Sequence, residues 1–98
     1  MITAALVATI WAAVTGFYGT RSWTPIDVCK ADYRGDHFAL VQARIRGHRR
    51  IAALHDYSAR RGWVVMWADG KVNPKIGVSI RPLVLAELTR LKAKCLAP

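Results

Sequence analysis

Residues 2–20 read ITAALVATIWAAVTGFYGT, and the placement of that stretch decides the fold. It contains small and aliphatic side chains, aromatic rings, and threonine hydroxyls able to bond back to the preceding turn of a helix. The first twenty residues hold no Lys, Arg, Asp, Glu or His, so all 15 basic and all 6 acidic residues of the chain follow them. At about 1.5 Å per residue a helix of this length covers the roughly 30 Å of a hydrocarbon layer, and the stretch predicts a transmembrane helix. Phe17, Tyr18 and Trp23 beside Arg21 form the aromatic and basic border expected where a helix leaves lipid for water. Arg21, Lys30 and Arg34 follow the helix and no charge precedes it. The positive-inside bias therefore places the N-terminus outside and the body in the cytoplasm, as a single-pass anchor in the inner (cytoplasmic) membrane.

Two other placements compete. A cleaved secretory signal carries basic residues before its apolar run, and none is present here. The other is a buried helix of a soluble cytoplasmic domain, which must be covered on every side, and a chain of 98 residues has few elements to do so. In a bilayer, Ala4, Ala5, Ala8, Ala12, Ala13 and Gly16 offer a small-residue face for other membrane helices.

Outward from the anchor (residues 1–22), the sequence divides into a juxtamembrane connector (23–36) and a small basic module (37–98). The connector holds Pro25, Asp27, Asp32 and Gly35 without a sustained period. Asp36 suits the N-cap of a helix over 37–61, whose wheel gathers Leu40, Val41, Ile45, Ile51, Ala52 and Leu54 on one side. Arg46, Arg49, Arg50, Arg60 and Arg61 collect on the other, while Arg44 falls in the apolar arc and Gly47 interrupts the middle. After Gly62 the run WVVMWA reads as a strand, followed by a hairpin turn that is either tight at Asp69-Gly70 or a wider loop over residues 69–75. A second extended piece begins at Lys71, pauses at Asn73-Pro74 and resumes over Ile76–Ile80. Pro82 fits the first turn of a last helix in which Val84, Leu88, Leu91 and Cys95 share one stripe. The fold class expected is α+β: one transmembrane helix followed by a helix-hairpin-helix cytoplasmic module.

Cys29 and Cys95 lie far apart with no CxxC and no Cys/His cluster, too sparse for a disulfide framework or a zinc site. Two free thiols in a reducing compartment is the simpler reading, and one bridge tying the ends of the body together is the alternative.

Catalysis finds no support: the chain has a single Glu, no Gly-rich phosphate loop and no nucleophile spaced from a base. No cofactor and no metal are expected. His48 and His55 share a helix face but lack a third ligand, and His37 reads as a surface residue. Trp63 and Trp67, four apart on a strand, point to one side with Val65, as core cover or as a platform for stacking bases.

Charge says more than any motif. A net charge of +9 attracts polyanions. Residues 44–61 contain six Arg and no Lys, which favours planar bidentate contact with phosphates or carboxylates. The expected protein is a membrane-anchored, non-enzymatic binding or assembly protein that presents Arg46, Arg49, Arg50, Arg60 and Arg61 to an anionic partner. Its partners would be membrane lipid, other membrane helices, and a polyanion (nucleic acid or acidic lipid) or an acidic protein surface. The alternatives are an accessory subunit of a membrane complex, or a soluble phage-type inhibitor with the leader in its core, engaging a host protein or nucleoprotein complex.

Overall fold

A computed structural model describes residues 2–57 and 62–96, and the side chains of residues 8–56 and 62–96. The chain forms α1 (Ile2–Tyr18), then β1 (Trp23–Tyr33), β2 (Asp36–Ile45), β3 (His48–Tyr57), β4 (Gly62–Ala68) and β5 (Lys71–Val72), a 3-10 turn (Val78–Ile80), and α2 (Arg81–Cys95). The five strands make one antiparallel sheet in the order β1-β2-β3-β4-β5, each paired with its sequence neighbour. One helix covers each face of this meander, giving three layers and two cores.

The first core lies under α1, where Ile10, Trp11 and Val14 pack on Ala39, Val41, Ala43, Ile45, Ala52, Leu54, Trp63 and Val65. The second lies under α2, where Val84, Leu88 and Leu91 pack on Ala31, Phe38, Leu40, Ala53, Met66 and Trp67. Successive residues of β2 therefore point alternately into the two cores.

The transmembrane expectation is overturned: no helix among the described residues is long and apolar enough to cross a membrane. α1 has 17 residues and ends where Gly19 adopts φ 67 and donates its N–H to Thr15 O at 2.9 Å, a left-handed stop. It is a wall of the core: Ile10 is 0% and Val14 1% exposed. Trp11 stacks on Trp23 with ring centroids 4.7 Å apart, Trp23 Nε1–H donates to Thr15 Oγ1 at 2.8 Å, and Tyr18 O–H donates to Asp69 Oδ2 at 2.7 Å. The aromatic cluster that reads as a lipid border is the seam between helix and sheet. Burial of the carboxylate-bound phenol pushes the Tyr18 pKa up.

The helix-hairpin-helix module is also corrected. Residues 23–33 of the expected connector form β1, and residues 37–57 of the expected long amphipathic helix belong to β2, its turn and β3, while 58–61 lie outside the described residues. The middle of β2 is covered on both faces, so it reads FALV rather than as an alternation of polar and apolar residues. Two tight turns set the register, at Arg34-Gly35 (φ 52 and 83) and Arg46-Gly47 (φ 52 and 84), both with the paired positive φ of a two-residue hairpin. Asp69-Gly70 (φ 50 and 93) makes the third, the tighter of the two alternatives. The extended piece at Ile76–Ile80 is a bend and a 3-10 turn, because Asn73-Pro74 ends β5 after two residues. α2 begins with Pro82 in its first turn and buries Val84, Leu88 and Leu91.

Cys29 of β1 and Cys95 of α2 are joined in a disulfide with Cα atoms 5.8 Å apart, the alternative to free thiols. The bridge pins the end of α2 to an edge strand.

Candidate polyanion-binding end of the sheet

Antiparallel pairing concentrates the arginines. Arg44 lies directly opposite Arg49, Ala43 opposite Arg50, and Ile45 opposite His48, with Arg46 in the turn between them. The Arg46 N–H donates to Ser22 O at 2.9 Å, which brings the Arg21 segment to the same end. Arg21, Arg44, Arg46, Arg49 and Arg50 are all exposed. Strand alternation puts Arg44 and Arg49 on the face that α2 covers further along, and Arg50 on the α1 face, beside Tyr18 and Ala43. The cations thus surround the end of the sheet.

Like charges directly opposite one another on a ladder are destabilising, and among the described residues no carboxylate is ion-paired to this pair, the nearest acid along the ladder being Asp27 of β1, opposite Gln42. The ion pairs found among the described residues, Asp32–His37, Asp36–His55 and Glu87–Arg90, involve none of the five arginines. Arg49 Nη2–H instead donates to Oε1 of Gln42, a buried side chain one step along the sheet. Asp69 is committed elsewhere, its carboxylate accepting from Tyr18 O–H at 2.7 Å and from the Ile51 N–H at 3.1 Å.

The far end of the same strands carries Asp32, Asp36 and Asp56. Asp32 and His37 are hydrogen-bonded at 2.7 Å, and His55 Nε2 lies 3.7 Å from Asp36 Oδ1. The Asp32 carboxylate, through that hydrogen bond and its charge, raises the His37 pKa above its ordinary 6.5. His48 and His55 sit toward opposite ends of β3, about 23 Å apart at the strand rise. They do not form a shared ligand pair. Among the described residues no group of three His, Cys, Asp or Glu side chains is placed to hold a metal ion.

Of the residues singled out by sequence, Arg46, Arg49 and Arg50 come together at the hairpin, and Arg60 and Arg61 lie outside the described residues. Arg44 joins the cluster although the helical wheel assigned it to the apolar side. Its signal in the sequence is the Arg-Gly turn, which folds residues 44 and 49 onto each other. Trp63 and Trp67 face opposite cores rather than one side, because a bulge sets Ala53 opposite Trp67 but Leu54 opposite Val65. Both rings are buried, at 8% and 7% exposure, and neither is free to stack on a base; Lys92 Nζ sits 4.7 Å from the Trp67 ring.

No protein-family model, curated protein or solved structure matches the chain.

Proposed function

We propose that this chain is a non-enzymatic binding protein that holds a phosphate polyanion, nucleic acid, against the arginine end of its sheet. The observation that carries the reading is the Arg44–Arg49 cross-strand pair, flanked by Arg46 and Arg50, with no carboxylate paired to it among the described residues. An array that repels itself in the free protein is relieved when phosphates enter, and each guanidinium offers a planar fork to phosphate oxygens. Arginines on both faces and at the tip suit a polymer that follows the end of the sheet. A flat acidic bilayer would be met better by a one-sided face that also inserts large apolar side chains.

Burial of α1 in the core supports a reading in which this apolar segment is part of the folded domain rather than a helix set in lipid. The Cys29–Cys95 bridge favours an oxidising compartment over the cytoplasm. The test is fluorescence anisotropy with a labelled double-stranded DNA, run beside acidic vesicles and polyglutamate. Tighter binding to DNA, weakened by Arg49→Gln/Arg50→Gln, is expected. Preference for vesicles or polyglutamate, or indifference to the substitutions, overturns the assignment.

A further inference from the structure

A second feature lies away from the arginines, along the outer edge of β4. β5 pairs with β4 only at Trp67–Val72 and Ala68–Lys71, because Asn73-Pro74 turns the chain away. Asn73 then closes a little more of the edge: its N–H donates to Met66 O at 3.0 Å and its Nδ2–H to Val65 O at 2.7 Å. From Gly62 to Val64, no strand among the described residues lies on the outer side of β4.

Beside this open edge runs a cleft of about 520 Å³ between α1 and the turn after β5, lined by Ala13, Gly16, Phe17, Trp63, Val65 and Lys75 among others. That volume falls in the roughly 300–1,000 Å³ range of ligand clefts. Its walls are largely apolar, with the exposed Phe17 ring on one side and the exposed Lys75 on the other. A Cβ added at Gly16 meets nothing within 4 Å, so the cleft is open at the helix wall.

We propose that this cleft binds a short extended peptide by strand addition along Gly62–Val64. The peptide takes the place that a longer β5 would fill, its backbone bonds to the open edge, an aliphatic side chain enters beside Phe17 and Gly16, and a carboxylate meets Lys75. An unpaired strand edge selects an extended backbone as the occupant, and the flanking apolar cleft selects alternate side chains. The lysine, in a chain of net charge +9, selects an acidic group. That carboxylate is either a peptide's own C-terminus or an Asp or Glu side chain. The proposal is independent of the arginine end, which lies at the β2–β3 turn.

Four peptides added to the ¹⁵N-labelled full chain test it: acetyl-Thr-Val-Thr-Val-Asp-amide, acetyl-Thr-Val-Thr-Val-Ala with a free C-terminus, the neutral acetyl-Thr-Val-Thr-Val-Asn-amide, and the first with alternate amides N-methylated. Amide shifts at Trp63, Val64 and Asn73 are expected. Both acidic peptides should bind about fivefold or more tighter than the neutral one, and N-methylation should weaken binding about tenfold. Whichever acid binds tighter identifies the source of the carboxylate. Gly16→Leu, which fills the cleft and improves a helical position, should weaken binding about tenfold without lowering the melting temperature. Lys75→Glu, at an exposed site, should remove the preference for acids if the first variant fails to fold. Absence of shifts with every peptide up to about 1 mM, shifts at Arg44 and Arg49 instead, or affinity indifferent to N-methylation overturns the proposal.

Discussion

Replacing Arg49 and Arg50 by Gln reads directly on the arginine end. Each phosphate neutralised on double-stranded DNA contributes a slope of about −0.9 in log affinity against log salt. The four hairpin arginines, Arg44, Arg46, Arg49 and Arg50, therefore predict a slope of about −3.6, and the double substitution one of about −1.8. Between roughly 50 and 200 mM salt the native chain should lose affinity about 150-fold and the variant about 12-fold. A contribution from Arg21 would steepen both slopes equally, so the difference of about 1.8 is the quantity to measure. The assay is anisotropy of a labelled duplex at four or more salt concentrations. Arg49→Gln also removes the donor to the buried Gln42 carbonyl, about 1 kcal/mol. Relief of the Arg44–Arg49 juxtaposition offsets part of that, and a circular-dichroism melt shows whether the variant is folded at the assay temperature. A folded variant whose slope equals that of the native chain would show that these guanidiniums touch no phosphate.

Ile10→Ala should destabilise the fold by about 2–5 kcal/mol, since Ile10 is fully buried between α1 and the sheet; a chemical denaturation midpoint no different from that of the native chain would detach α1 from the core. Opening the Cys29–Cys95 bridge, by reduction or by paired Ser substitutions, should lower stability by about 4 kcal/mol for a closure of 66 residues, and a melt with and without reductant measures it. His37 should titrate above its ordinary 6.5, and Asp32→Asn should return it toward that value. Because the folded pKa is the higher one, the pair supports the fold below about 6.5 and that support fades as pH rises through the folded midpoint. Imidazole proton shifts against pH check it, and a His37 midpoint indifferent to Asp32→Asn would remove the pairing as the cause.

Some of this architecture is written locally. Pro82 and the spacing of Val84, Leu88 and Leu91 mark α2, the run WVVMWA marks β4, and Asp69-Gly70 marks the turn that follows. Arg34-Gly35 and Arg46-Gly47 carry the same kind of turn signal, but an arginine at the first turn position is a weaker cue than Asp or Asn. Without those two turns, residues 37–57 fit a helical wheel, because side chains that enter two different cores look like one broad apolar side. The arginine cluster was half legible: the excess of Arg over Lys stands in the sequence, whereas the pairing of Arg44 with Arg49 depends on register. The β4 cleft had no local signal, since its walls come from α1, β4 and the turn after β5.

The amino-acid sequence alone determined the segregation of charge from residues 2–20, the net positive charge, the last helix and the turn at Asp69-Gly70, each a property of composition or of a few adjacent residues. Tertiary structure decided what the apolar leader touches. A helix of uncharged residues satisfies its own backbone in lipid or in a protein core, and its composition does not distinguish the two. The outcome follows from a five-stranded sheet with two apolar faces, one covered by α2 and the other by α1.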